Sequence, residues 1–390
     1  MAKKTPARWT RKHLLGLEDL SAGEIRHLLD AAEKFLPYAT GTRPARALAG
    51  KPPVPPGPLA NRTVLNLFCE DSTRTRTSFT LAAERLGARV IQFQAGTSSL
   101  KKNETLLDTA RNIEAMGLDA IVIRHPDRGA PQAVAEAVNC SVLNAGDDAH
   151  EHPTQALLDF LAMRHKLGRL DGLTVAIVGD IRHSRVARSN LHGLSKLGSR
   201  VIFVGPPPFL EGLGDIAAPV ETSTDLEAVL PECDAVMMLR VQFERHERNV
   251  PNGAGPPAQH PAEGGVAFDL EDYKRGYQLT AKRLARAKPG AIVLHPGPIN
   301  RGLEITDEVA DGPQSVILHQ VTCGVAVRMA ALSLCVGALE RERKSAKPSP
   351  LTPPLSRSTQ RLSTGHKGRG RQKRGLSREG RGRGKSSAGA

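Results

Sequence analysis

The chain has 390 residues, 39% of them hydrophobic and 3% aromatic, enough for two domains of ordinary size on a largely aliphatic core. Its formal charge of +14 is unevenly placed: from Lys344 onward 13 lysines and arginines face one acid, Glu379, so the first 343 residues are nearly neutral and do not read as a polyanion-binding body. Five widely spaced cysteines, without a C-x-x-C pair or a histidine cluster of ligand spacing, argue against a disulfide framework and a structural zinc.

That cysteine usage fits a reducing cytoplasm, and no apolar run approaches the roughly 20 residues of a membrane span. The N-terminus is basic and free of acids before Glu18, a trace of a transit-peptide pattern, but Leu14, Leu15 and Leu17 lead straight into a folded helix. Ser21 to Glu24 forms a capping box, with Ile25, Leu28, Leu29, Ala32 and Phe35 behind it at helical spacing. Residues 43–60, rich in Pro, Gly and Ala, read as an exposed loop.

An apolar β-like run (Val64, Leu65, Leu67, Phe68) then enters residues 70–79, EDSTRTRTSF, and a helical pattern (Phe79, Leu81, Ala82, Leu86) leaves them and stops at Gly87. A helix start has unpaired N–H groups and the positive end of the dipole, so an anion is favoured there. Ser72, Thr73 and Thr75 add hydroxyl donors, and Arg74 and Arg76 add planar forks suited to phosphate oxygens. A lone S-T-R would serve equally as a capped helix with surface arginines. The full S-T-R-T-R reads as a phosphate cradle built without glycines.

Strand-like runs recur at 89–93, 120–124 and 142–144 with helices between them, which argues for a parallel sheet covered on both faces. A long helix opens at His152-Pro153, proline suiting the first helical position, and runs to Gly168; the inter-domain crossing is placed in it. The second half repeats the alternation at 174–178, 200–204, 235–239 and 291–294, with a Pro/Gly loop at 251–265 and a final apolar helix from about residue 324 to 339. The expected fold is α/β: two doubly wound domains, each a mostly parallel sheet flanked by helices, linked by crossing helices. Their expected bounds are residues 12–152 with 322–341, and residues 153–321. From residue 345 to 390 the basic chain has too little apolar content to offset ordering entropy, so a disordered tail is expected.

Further motifs follow the cradle in order. Residues 98–105 (SSLKKNET) hold Ser98 and Lys102; Arg124 ends a strand in the usual ligand crevice; His152, at a helix start, is poised to donate to an oxyanion, with Gln155 one turn on. Residues 179–185 join strand to helix without the G-x-G-x-x-G spacing of a dinucleotide site and end on Arg185. Arg240 and Gln242 end another strand, and residues 295–301 (HPGPINR) leave the carbonyls of Pro296 and Gly297 free to accept from an NH₂.

Six such motifs, in order over roughly residues 12–340, resemble the aspartate and ornithine carbamoyltransferases. The resemblance implies that Ser72, Thr73, Arg74, Thr75, Arg124, His152, Gln155, Pro296 and Gly297 bind carbamoyl phosphate. Of these, Arg74, Thr75, Arg124 and His152 would be catalytic, polarising the carbonyl. It implies aspartate binding by Lys102, Arg185, Arg240 and Gln242, with Ser98 and Lys102 supplied by the adjacent subunit, so that a homotrimer is the minimum unit. Two arginines aimed at one ligand suit a dianion, favouring aspartate over ornithine. The His-Cys-Leu-Pro and Ser-Met-Gly sequences typical of the ornithine enzymes are absent. Asn103 stands where the family usually has glycine, and Gly297 where some aspartate enzymes have leucine, a change expected to widen the pocket slightly.

The expected reaction joins carbamoyl phosphate and L-aspartate into N-carbamoyl-L-aspartate and phosphate, in pyrimidine synthesis in the cytoplasm; a carbamoyltransferase for ornithine is the alternative. No metal or cofactor is called for, and the departing phosphate is the expected proton acceptor. Association with regulatory or dihydroorotase chains is left open, and nucleic acid would be attracted only weakly, through the basic tail.

Overall fold

The computed structural model describes residues 9–40, 57–94, 104–214, 216, 218, 220–242 and 269–345. The loop expected at 43–60 therefore lies outside the described residues up to 56, as do Ser98 and Lys102, the loop at 251–265 and the tail beyond 345.

Helix α1 (Ala22–Ala39) starts on the expected box: the Ser21 hydroxyl accepts from Glu24 N, and the Glu24 carboxylate accepts from Ser21 N at 2.8 Å. Strands β1 (Thr63–Phe68), β2 (Arg89–Gln94), β3 (Ala120–His125) and β4 (Ser141–Asp147) form one parallel sheet in the order β2-β1-β3-β4. Helices α2 (Thr73–Arg85), α3 (Leu106–Glu114) and α4 (Ala130–Ala137) cross between them. After α5 (Pro153–Leu167), a second parallel sheet runs through β5 (Thr174–Val178), β6 (Arg200–Val204), β7 (Glu221–Ser223), β8 (Ala235–Met238) and β9 (Ile292–Leu294), in the order β7-β6-β5-β8-β9. Helix α6 (Arg185–Lys196) follows β5.

The inner strands are near-continuous apolar runs because helices cover both faces; in β1 every residue from Val64 to Phe68 is buried. Strand β7, three mostly exposed polar residues, carries no such pattern and was invisible to periodicity.

The final helix runs Ile317–Ser345, seven residues earlier than the expected start. Residues 317–323 (ILHQVTC) mix β-branched and polar side chains, so no helical stripe is legible there; burial of Gln320 and Cys323 against the body, with Leu318 82% exposed, gives the segment its helical face. This helix packs on α1, α2 and α5. It is long and apolar enough to cross a bilayer, which corrects the expectation that the chain has no such run, but 72% of its most apolar stretch is buried inside the fold.

Helices α5 and α6 cross closely because Gly193 has no side chain: a Cβ there would lie 2.4 Å from the Phe160 ring and 3.1 Å from Leu17 Cδ1. Gly193→Ala is expected to destabilise the fold by about 1–3 kcal/mol through overpacking, read as a lower urea midpoint. An unchanged midpoint would mean that the crossing is looser than described.

Candidate active site

In each sheet the strand order reverses beside one strand, β1 in the first and β5 in the second, and ligands in doubly wound sheets bind outside the carboxyl ends of the strands at such points. The two points open onto one cavity of about 830 Å³.

From the first sheet, Ser72, Thr73, Arg74 and Thr75 reach the cavity at the start of α2, and Arg124 at the end of β3; His152 and Gln155 reach it at the start of α5. From the second, Arg185 opens α6, Arg240 and Gln242 follow β8, and Pro296 and Gly297 follow β9. The fold thus brings together every expected site residue that lies among the described ones.

Ser72 takes the N-cap position of α2 in extended conformation, yet its hydroxyl caps nothing, and it is left for the cavity. Arg76 departs from the phosphate-fork expectation: its guanidinium stacks 5.3 Å over the Phe68 ring, and it does not line the cavity. Successive α-helical residues turn by 100°, so Arg74 and Arg76 point roughly 200° apart and only one can face the pocket.

Arg74 Nη2 donates to the Pro296 carbonyl at 3.3 Å, tying the cradle to the turn after β9. Gly297 has φ +65°, a left-handed conformation suited to glycine, and a Cβ there would sit 2.8 Å from Arg74 Nη1. The Arg74 guanidinium stands where a side chain at this position would begin. His295 holds the same turn as a clasp: its Nδ1 accepts from Gly297 N at 2.8 Å and its Nε2 faces Glu304 Oε1 at 3.1 Å.

Between the arginines lies a residue that the sequence reading left without a role. Glu70 Oε2 accepts from Arg124 Nε and from Arg185 Nη2, each at 3.0 Å, while Arg185 Nη1 donates to the Asp148 carbonyl at 3.1 Å. One carboxylate oxygen is gripped by guanidinium groups from both sheets. Arg185 is only 9% exposed and passes Gly146, whose ideal Cβ would meet its guanidinium at 3.1 Å.

His152 is 4% exposed; its backbone N donates to Ser189 Oγ at 2.9 Å, and its ring does not cap α5. Burial, and then the charges of Arg328, Arg124 and Arg185, hold its pKa well below the ordinary 6.5, so the imidazole is neutral near pH 7. A neutral ring in this field donates a hydrogen bond without carrying a charge. On the opposite wall, Gln242 Nε2 donates to the His183 carbonyl at 3.0 Å, and His183 Nδ1 lies 2.8 Å from buried Asp180 Oδ1.

A further cavity residue is Arg328 of the final helix, 4% exposed, donating to Ser78 Oγ at 2.8 Å and stacked 5.1 Å over Phe79. Burial lowers its pKa to about 9, still above neutrality, so it remains a cation behind the cradle. The available signal was a single charge in the apolar stretch between Thr322 and Glu340.

A cleft between two parallel sheets, lined by arginines from both, two of them on the Glu70 carboxylate, and by a neutral histidine, belongs to an enzyme that handles anionic substrates. The family descriptions "Aspartate/ornithine carbamoyltransferase, carbamoyl-P binding domain" and "Aspartate/ornithine carbamoyltransferase, Asp/Orn binding domain" match residues 12–165 and 171–335. The chain belongs to the aspartate/ornithine carbamoyltransferase family. It is 51% identical over 330 residues, 83% of this chain and 99% of the relative, to the aspartate carbamoyltransferase catalytic subunit of Myxococcus xanthus. Among solved structures it is similar to the aspartate transcarbamoylase of Trypanosoma cruzi in complex with carbamoyl aspartate and phosphate (28% identity, TM-score 0.66, covering 85% of this chain and 99% of that one). It is also similar to the ornithine carbamoyltransferase of Pyrococcus furiosus (26% identity, TM-score 0.67, covering 86% and 99%).

Proposed function

We infer that the chain transfers the carbamoyl group of carbamoyl phosphate to the amino group of L-aspartate, giving N-carbamoyl-L-aspartate and phosphate. The observation that carries this reading is the meeting, in one cavity, of the Ser72–Thr75 cradle with Arg185 and Arg240 from the second sheet. The backbone comparison does not choose the acceptor, since the aspartate and ornithine enzymes match about equally. The choice rests on the arginines, which suit a dianionic acceptor, and on the 51% identity to an aspartate enzyme.

In this reading Ser72, Thr73, Arg74 and Thr75 hold the phosphate, and Thr75, Arg124 and His152 stabilise the charge that develops on the carbonyl oxygen. Gln155 and the carbonyls of Pro296 and Gly297 hold the carbamoyl nitrogen. Arg185, Arg240 and Gln242 fix aspartate so that its amine meets the carbonyl carbon, a gain of orientation, and the leaving phosphate takes the proton. Ser98 and Lys102 complete the site from a neighbouring chain, Lys102 also meeting aspartate, which makes a homotrimer the active unit. The division into a carbamoyl-phosphate domain (12–152 with 322–341) and an aspartate domain (153–321), the place in pyrimidine synthesis and a cytoplasmic location belong to the same proposal.

The test is product analysis with ¹³C-carbamoyl phosphate and, separately, L-aspartate and L-ornithine. Labelled N-carbamoyl-L-aspartate and no citrulline is the expected result. Citrulline as the main product would transfer the protein to the ornithine branch.

A further inference from the structure

Asp159 lies one turn beyond Gln155 on α5, is 0% exposed and does not line the cavity. Three primary amides converge on its carboxylate. Oδ1 accepts from Gln155 Nε2 at 2.9 Å and from Gln320 Nε2 at 2.8 Å, and Oδ2 accepts from Asn190 Nδ2 at 2.9 Å. The amides come from α5, the final helix and α6, and Gln155 and Gln320 line the cavity.

An ionised carboxylate only accepts, so it decides which end of each amide faces it. Gln320 displays the consequence: its NH₂ is on Asp159, and its Oε1 accepts from His295 N at 2.9 Å, which anchors the turn carrying Pro296 and Gly297. Gln155 is held the same way, and its Oε1, without a hydrogen bond among the described residues, is the end left for the cavity.

We propose that Asp159 is a specificity-determining positioning residue: by fixing the polarity of Gln155, and through Gln320 the placement of the turn after β9, it turns two acceptors, Gln155 Oε1 and the Gly297 carbonyl, toward one ligand group. The site then takes an acyl phosphate bearing NH₂ and rejects the isosteric one bearing CH₃. A methyl group in that place would leave Gln155 Oε1 and the Gly297 carbonyl desolvated and unpaired, while the Pro296 carbonyl keeps its bond from Arg74; such a loss is the situation in which sites built for a hydrogen bond discriminate most strongly. The inference rests on the carbamoyl-transfer reading.

The same geometry is sensitive to pH. Burial raises the Asp159 carboxyl to about 7, against the hydrogen bonds from Asn190, Gln320 and Gln155 and the nearby Arg328 charge. Arg328 and the Cys323 thiol, both on the final helix, share its field, and the thiol, raised by burial to about 12, stays protonated. As pH falls through about 7 the carboxyl gains a proton, can donate, and no longer forces the Gln155 amide one way round.

The experiment measures kcat/KM for carbamoyl phosphate and the inhibition constant of acetyl phosphate, for wild type and Asp159→Asn, between about pH 5.5 and 8.5, a span that covers an ordinary histidine and a raised carboxyl. Combining the two constants cancels the titration of the phosphate and of residues that both compounds touch. Asp159→Asn is expected to lose about 10–100-fold in kcat/KM for carbamoyl phosphate, the scale of a misplaced contact, with acetyl phosphate affinity changed far less. Wild-type discrimination should fall as pH drops through about 7, and that of the variant should stay flat. The wild-type pH series needs no variant, so a poorly folded Asp159→Asn leaves the test decisive. An active wild type whose discrimination ignores pH, or a variant that loses both compounds equally, overturns the proposal alone. A wild type that forms no carbamoyl-aspartate removes the transferase reading, and the proposal with it.

Discussion

Arg240→Ala is expected to lower kcat/KM for aspartate by about 10²–10³-fold, with a much smaller change in the affinity for carbamoyl phosphate. Arg240 reaches the cavity from the end of β8 and Arg185 from the start of α6. A dianionic acceptor needs both, and truncating one member of a hydrogen-bonded charge pair typically costs about 2–5 kcal/mol, with each 1.4 kcal/mol a factor of ten. The lost interaction acts on the second substrate, so the effect belongs in the aspartate term. Steady-state kinetics with each substrate varied in turn checks it. Equal losses for both substrates would place Arg240 in the general architecture of the cleft instead of in aspartate recognition.

His152→Ala is expected to lower kcat by about 10²–10³-fold, the usual effect of removing one donor from a developing oxyanion. Burial, and then the charges of Arg328, Arg124 and Arg185, keep the ring neutral, so it contributes a directed hydrogen bond where the surrounding guanidinium groups contribute charge. Because the interaction grows as the carbonyl becomes an oxyanion, KM should move less than kcat. The ring also fills a buried position, so the thermal stability of the variant must be measured alongside. A kcat within about threefold of wild type in a folded variant would remove His152 from the chemistry.

Much of this site was legible because chemistry-bearing residues sit where strands end and helices begin. S-T-R-T-R, His152 with Gln155, and Arg240 with Gln242 each follow an apolar run that ends at a turn, and the βα alternation itself announces parallel sheets. Three features were hidden for physical reasons. Arg74 and Arg76 are alike in sequence, and only the helical rotation separates the pocket arginine from the one stacked on Phe68. Glu70 stands inside the quoted run, but its partners Arg124 and Arg185 are 54 and 115 residues away and meet it only when the sheets come together. Asp159 and Arg328 sit in apolar helices, where a sequence reading registers a polar interruption without the amides or the aromatic ring that receive it.

The assignment of one cavity to two substrates is tested most directly by an experimental structure with N-(phosphonacetyl)-L-aspartic acid, which joins a phosphonate and an aspartate skeleton in a single molecule. The expected result is the phosphonate at Ser72, Thr73, Arg74 and Thr75, the central carbonyl oxygen beside Arg124 and His152, and the two carboxylates on Arg185 and Arg240. A phosphonate bound elsewhere, or aspartate carboxylates that reach neither arginine, would contradict it.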